Sequence, residues 1–477
     1  MTPSKVANWF YYSASVALLT YVIIRLFAIP ITHDEAFSFL RYVHRSYLEI
    51  FSYNTGNILP NNHILNTLGM KFFSSLFGVD DWVVRIPNVI GFAIYLVYAV
   101  KLAQSLRNRY HGIFLFVALT GIHYLVEFFA LARGYGLSLA FLLPALYYLR
   151  AYLIHLQKKH LIIALGASFL SIEASFTLLY LYLPLGGCLF LWGWIKKDKW
   201  IVRSLLGFLV TLVLTLYEPL RFLISSGTLF GPKESFVYQT VFSLALMIFP
   251  DGVDLFWIHL IMYTVVLLFF VGGAWSIWNL KKAKTGKEFW FPFVSLGLIL
   301  TVLLQVVGAA LFDRNLLSFR TALYFYPLFF YFIALFLDEV LPVLPERFKR
   351  LVEWPPVIIA FGLIFNFALQ VNTHSAREWK YEENSREVYQ SFKELQTQYN
   401  DPVPLHVGIT WLFEPSLNFY RVADPEAITS PFNRDGLSAK QNYFYVIPGD
   451  TVGLPREVQL IKEYSNTGNR LYRRSGQ

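Results

Sequence analysis

A single cysteine, Cys188, in 477 residues excludes a disulfide framework and a thiolate metal cluster, each of which needs several. Charge is also scarce. Asp, Glu, Lys and Arg together make up 15% of the chain, where an ordinary soluble protein carries about 25%. So thin a supply cannot coat a water-facing surface, and a cytosolic enzyme and a disordered chain are both excluded. Internal repeats and low-complexity tracts are missing as well, which removes collagen and other repeat architectures.

What the chain does have is apolar. Hydrophobic residues are 56% and aromatics 18%, with a mean hydropathy of +0.47. The formal net charge is +9, a basic balance that in a soluble domain would suggest nucleic acid. Position removes that reading. Residues 372–477 hold 12 basic and 13 acidic side chains, and residues 1–371 carry a net +10. The excess lies in the greasy part, so the partner is the lipid bilayer and not a nucleic acid.

Windows of about 19 residues predict spans near 9–29, 86–106, 112–128, 136–154, 161–176, 178–195, 201–222, 255–278, 290–311, 321–341 and 355–371. The first has only Lys5 before it and no small-x-small site, so it reads as an uncleaved span. Five connections are basic: Lys101 to Arg109; Lys158 and Lys159; Lys196 to Arg203; Lys281 to Lys287; and Arg347 to Arg350. All five fall on one side if the N-terminus is cytoplasmic, the positive-inside pattern of a multi-pass cell (inner) membrane protein. Counting the amphipathic stretch 61–79 as a span would put those lysines outside, so it reads as an interfacial helix. Phe236–Pro250 reads as a second one.

The architecture expected is an all-α polytopic membrane domain over 1–371 with about eleven transmembrane helices. A small extracytoplasmic α/β domain follows over 372–477. Thr373–Tyr399 has helical spacing, Pro404–Thr410 and Asn442–Ile447 read as strands, and Leu460–Tyr464 turns into Arg470–Arg473 as a hairpin. The tail shows no catalytic motif.

Chemistry-bearing residues gather at the outer ends of spans. Ile31-Thr32-His33-Asp34-Glu35-Ala36-Phe37-Ser38 puts two acids at the mouth of the first, where carboxylates packed toward a bilayer need a reason. A carboxylate in a partly desolvated cleft can serve as a general base with its pKa raised. Asn61-Asn62-His63 follows, then Asp80-Asp81-Trp82-Val83-Val84-Arg85-Ile86-Pro87-Asn88 at the second span. Glu127 and Ala132-Arg133-Gly134-Tyr135-Gly136-Leu137 lie between the third and fourth, and Arg314 and Phe319-Arg320-Thr321-Ala322-Leu323-Tyr324-Phe325-Tyr326-Pro327 precede the tenth.

In this order the motifs resemble the GT-C membrane glycosyltransferases, closest to glycosyltransferase family 39, which includes protein O-mannosyltransferases and lipid A aminoarabinose transferases. The resemblance covers residues 1–371. It implies the GT-C fold and an inverting transfer of a sugar from a polyprenyl-phosphate donor to a protein, lipid or glycan hydroxyl outside the membrane. The family's acidic pair maps onto Asp34, as the base, and Glu35, orienting acceptor or donor. The donor phosphate needs cations, which an arginine fork suits: Arg320 and Arg133, with Lys233 third. His63, Tyr135, Arg85 and Glu127 complete the expected substrate-binding set. The chain departs from the family at Leu131, where many relatives carry a glutamate that Glu127 could replace on the same helical face. It departs again after His63, where Ile64-Leu65 stand in place of a proline-rich stretch. His33, Asp34, Glu35 and His63 match no zinc spacing, so no cofactor is required, a divalent cation being the alternative. A transporter or lipid flippase is the competing class; it predicts inverted repeats and charge at the midplane.

Overall fold

An apolar chain in lipid must satisfy every backbone N–H and C=O internally, and a helix does so within one segment. The computed structural model describes residues 3–53, 61–226, 234–312, 315–438 and 440–474. Among the described residues nine helices are long and apolar enough to cross a membrane. They are Val6–Ala28, Asp81–Gln104, Gly134–His155, Phe176–Ile195, Lys199–Phe222, Leu255–Leu280, Gly286–Phe312, Phe319–Val343 and Val352–Gln370. The chain is a multi-pass membrane protein.

Two of the eleven expected crossings take shorter forms. Residues 112–128 are divided between helices Arg109–Thr120 and His123–Glu127, with Gly121 at the break. Every residue from Phe114 to Glu127 is buried, and a broken helix is tolerated where protein surrounds it. The helix Lys158–Ala174 has 17 residues, at the short end of what spans a bilayer.

Five helices set up the region that matters below: α1 (Pro3–Ala28), α2 (His33–Ser38), α3 (Ile64–Phe77), α4 (Asp81–Gln104) and α5 (Gly134–His155). As expected of an interfacial helix, α3 buries Ile64, Asn66, Thr67 and Met70 and leaves Phe72, Leu76 and Phe77 exposed. Val237–Ile248 forms the second short apolar helix. At the opposite end of the bundle two of the basic connections meet, where Lys196 Nζ donates to the Lys284 carbonyl at 3.1 Å.

The tail is a four-stranded sheet of β1 (Val407–Ile409), β2 (Tyr443–Val446), β3 (Val458–Glu463) and β4 (Arg470–Arg474), in the order β1-β2-β4-β3. β1 and β2 are parallel, and the connection between them includes α7 (Glu414–Ala423). β3 and β4 are the antiparallel hairpin, turning at Ser465–Asn469. Helix α6 (Ser385–Tyr399) buries Val388, Tyr389, Phe392 and Leu395, a one-sided apolar stripe of helical period. These join Phe413, Leu417, Tyr443, Tyr445 and Leu471 in a core separate from the membrane helices.

This domain is seated on the bundle. Phe419 of α7 packs edge-on against Phe39 at 5.1 Å and joins Ile31, Ala36, Met70 and Ala132 in one cluster. The Tyr420 hydroxyl accepts from the Ile31 amide at 2.9 Å and donates to Asp81 at 3.0 Å. Arg386 of α6 reaches the same Asp81 carboxylate at 2.5 Å.

Candidate active site

Adjacent residues on a helix point about 100° apart, and α2 uses that angle to separate its two acids. Glu35, at the third position, turns inward and its side chain is 0% exposed. Its Oε2 accepts from the Thr32 amide and hydroxyl, both at 2.9 Å, the carboxylate arm of a capping box. The Arg85 fork closes on both oxygens at 2.8 and 2.7 Å, and the Ala132 amide donates to Oε1 at 2.5 Å. Arg85, also 0% exposed, gives its remaining hydrogens to the Ile29 and Pro30 carbonyls at 2.7 and 2.8 Å. These carbonyls follow the end of α1, where helical partners run out.

Glu35 and Arg85, expected to contact substrate, have both carboxylate oxygens and the whole fork engaged within the protein. Together they hold the end of α1, α2 and the turn before α5 in one register.

Asp34, at the second position, turns away from that clamp and is 16% exposed. Its Oδ2 lies 3.2 Å from Arg320 and 3.4 Å from Arg133. Burial pushes the Asp34 carboxyl up, and the charges of Arg133 and Arg320 outweigh it, holding it below the ordinary aspartate value. The raised pKa expected of a base is therefore absent here, because two guanidiniums face the group.

Arg133 stands at the position just before α5, and the Ala-Arg-Gly-Tyr-Gly-Leu motif is explained by close approaches around it. A Cβ on Gly134 would lie 1.9 Å from the Ala174 carbonyl and 2.7 Å from His63. One on Gly136 would lie 2.4 Å from the Phe128 carbonyl. Only glycine lets α5 start so near these backbones. Arg133 donates to Asn61 Oδ1 at 2.6 Å, to Ser38 Oγ at 3.0 Å and to the Asp34 carbonyl at 3.2 Å. Its guanidinium lies 5.8 Å from the centre of the Tyr135 ring. Tyr135 in turn meets the His63 ring edge-on at 4.8 Å.

His63 shares a 2.9 Å hydrogen bond with the Ala174 carbonyl through Nδ1. A carbonyl only accepts, so Nδ1 carries the hydrogen. Burial first, then the Arg133 charge, pushes His63 down to about 3, so the ring is neutral and its Nε2 is an acceptor.

Arg320 sits in a turn of 3₁₀ helix, Phe319–Ala322. Phe319 before it has φ +47°, a left-handed conformation that costs a bulky residue about 1 kcal/mol or more. Its amide donates to Ser243 at 3.1 Å, and Ser318 is tied back to Thr321 Oγ1 at 3.0 Å. This bend brings Arg320 to Asp34.

Two further members of the site come from the tail. Arg320 donates to the Glu378 carboxylate through the nitrogen that does not face Asp34, and the Tyr124 hydroxyl donates to the other Glu378 oxygen. The Arg320 guanidinium lies over the Trp379 ring at 5.1 Å. No motif marks these residues; their one signal is that they follow the last span by fewer than ten positions.

Glu127 does not reach the cleft. It pairs with Arg25 at 2.6 Å, both buried, and accepts from the Arg377 amide at 3.1 Å. It therefore anchors the start of the tail. Lys233 and Arg314 lie outside the described residues. Among the described residues no three His, Cys, Asp or Glu side chains converge to hold a metal ion, and the His33 ring is engaged by the Leu412 carbonyl at 2.7 Å.

No known family model matches the sequence, and no curated protein matches it. Among solved structures the chain is similar to ArnT from Cupriavidus metallidurans in the apo state, at 13% identity and a TM-score of 0.47, covering 98% of each chain. It is also similar to the same protein bound to undecaprenyl phosphate, at 13% identity and a TM-score of 0.46, covering 99% of this chain and 98% of that one.

Proposed function

We propose that the chain is an inverting membrane glycosyltransferase of the GT-C type, moving a sugar from a polyprenyl-phosphate donor to an acceptor hydroxyl on the outer side of the membrane. The observation that carries this reading is one carboxylate, Asp34, held between two arginines at the end of the bundle away from the basic connections. The motifs that place these residues are those whose order resembles the family.

In this reading Asp34 takes the proton of the acceptor hydroxyl as its oxygen attacks the anomeric carbon. The bond from that carbon to the phosphate oxygen breaks with its electron pair on the phosphate. Polyprenyl phosphate leaves, and Arg320 and Arg133 meet the charge it gains. One displacement from the face opposite the leaving group inverts the anomeric centre, and no covalent intermediate forms. Before the donor arrives the arginines make Asp34 a weak base. A bound phosphate draws their charge toward itself, and the proton affinity of Asp34 then rises. Neutral His63 and Tyr135 line the same wall and suit hydrogen bonds to sugar hydroxyls. Under this reading the basic connections and the N-terminus are cytoplasmic, and the tail and cleft are outside.

The test is sugar transfer by purified Asp34→Asn in detergent with a lipid-linked donor, followed by mass spectrometry of the acceptor. A positioned base contributes about 10²–10⁴-fold, and a loss of that size is expected. Full activity in this variant would overturn the mechanism.

A further inference from the structure

Among the described side chains two cations, Arg133 and Arg320, meet two carboxylates, Asp34 and Glu378. His63 is neutral. The charges cancel, so a phosphate arriving at Arg320 finds a nitrogen already facing a carboxylate on each side. One of the two must yield. Asp34 is fixed on α2 beside the deeply anchored Glu35, and the reaction needs it in place. Glu378 belongs to a different segment and is 14% exposed, beside an Arg320 that is 32% exposed. It enters the site only because the tail folds over the bundle, anchored one residue earlier by Arg377. There Glu127 holds the backbone amide, and the Arg377 side chain donates to the Met247 and Phe249 carbonyls at 3.0 and 2.7 Å.

We propose that Glu378 is an exchange anion: it occupies the place of the donor phosphate on Arg320, is displaced when the lipid-linked donor binds, and returns to expel the polyprenyl phosphate product. The inference rests on the reading of Arg320 as the phosphate-holding residue. Its chemistry follows from the charges of the two lipids. The donor is a phosphodiester with one negative charge. The product is a monoester carrying about 1.5 to 2 at neutral pH, so an arginine pair left to itself holds the product more tightly than the donor. An enzyme in that position stalls on product release. A carboxylate tethered beside the arginine competes with the product at every turnover, without diffusing away.

The experiment measures binding of undecaprenyl phosphate to the purified full chain in detergent. Glu378→Gln is expected to bind about two- to fivefold more tightly than the wild type, the size of one partly exposed ion pair, and to show stronger product inhibition during transfer. A gain in affinity is a result that structural damage does not produce. Unchanged or weaker binding overturns the proposal. Should Glu378→Gln fail to fold, Tyr124→Phe decides, because it frees one Glu378 oxygen; about two- to threefold tighter binding supports exchange, and no gain refutes it. Arg320→Gln separates the two layers. If it binds the lipid as well as the wild type, Arg320 does not hold the phosphate, and the reading beneath the proposal falls.

Discussion

Asp34 and Arg320 are 286 residues apart in sequence, and their side chains meet at 3.2 Å. The contact joins the mouth of the first span to the entry of a late one, and the tail adds Glu378 to the far side of the same guanidinium. Arg320 thus serves two carboxylates with two separate nitrogens, and its guanidinium carbon lies 5.1 Å from the centre of the Trp379 ring. A lysine is a point charge that cannot serve both carboxylates with a fixed fork. Arg320→Lys is expected to lower kcat/KM for sugar transfer by about 10–100-fold, as loss of a positioned charge-assisted donor does. An unaltered kcat/KM would assign the phosphate to another cation.

The pH dependence follows from the charges around Asp34. Its folded-state pKa lies below the ordinary value, so the carboxylate stays ionised on acidification until that low value is reached, and only then is the base lost. Arg133 is the first of the charges that lower it, and burial alone pushes the other way. Arg133→Gln is therefore expected to move the acid limb of the kcat/KM profile upward by about one unit or more. The measurement is kcat/KM against pH with a fixed lipid-linked donor. A limb that does not move would separate Asp34 from the proton transfer.

Glu35 and Arg85 form the buried clamp beneath the site, and its cost of failure is large. Removing one partner leaves an uncompensated charge in the interior, worth about 3–5 kcal/mol. Glu35→Ala and Arg85→Ala are each expected to lower the thermal unfolding midpoint sharply in detergent. A double Glu35→Leu, Arg85→Met variant removes both charges, yet it leaves the Ile29 and Pro30 carbonyls without their donor. It should recover only part of the loss. Full recovery would show that the carbonyl contacts contribute nothing.

Much of this architecture is legible in the amino-acid sequence. Apolar length gives the spans, lysine position gives their common side, and the two acids after the first span stand out because charge is costly there. The tail strands follow from alternation and turn chemistry at Ser465–Asn469. What the sequence hides is direction and pairing. His33-Asp34-Glu35 reads as one acidic patch, although helical geometry sends its two carboxylates to different environments. Arg25 sits within the first span and requires a buried partner by the same cost argument, and that partner is Glu127. Glu378 and Trp379 are invisible because their place depends on how a separate domain seats itself on the bundle. The broken segment 112–128 reads as a continuous span because hydropathy does not register a helix break inside a packed interior.

Glu382, one turn beyond Glu378, gives the tail a pH-sensitive support. Its side chain is 2% exposed, the Ser385 hydroxyl donates to one oxygen, and the other has no partner. Burial pushes this carboxyl up to about 8; the hydrogen bond from Ser385 opposes the shift, and the Glu35 charge adds to it. The folded-state value exceeds the ordinary 4.5, so the folded chain binds a proton that the unfolded chain releases earlier. The stabilisation is complete below about 4.5 and is lost as pH rises through about 8. Glu382→Gln carries a permanent neutral side chain of nearly the same shape. Its unfolding midpoint is expected to match the wild type near pH 4.5 and to exceed it by several degrees near pH 8.5. Parallel wild-type and variant curves across that window would mean that Glu382 is already ionised in the folded tail, with a cation facing its free oxygen.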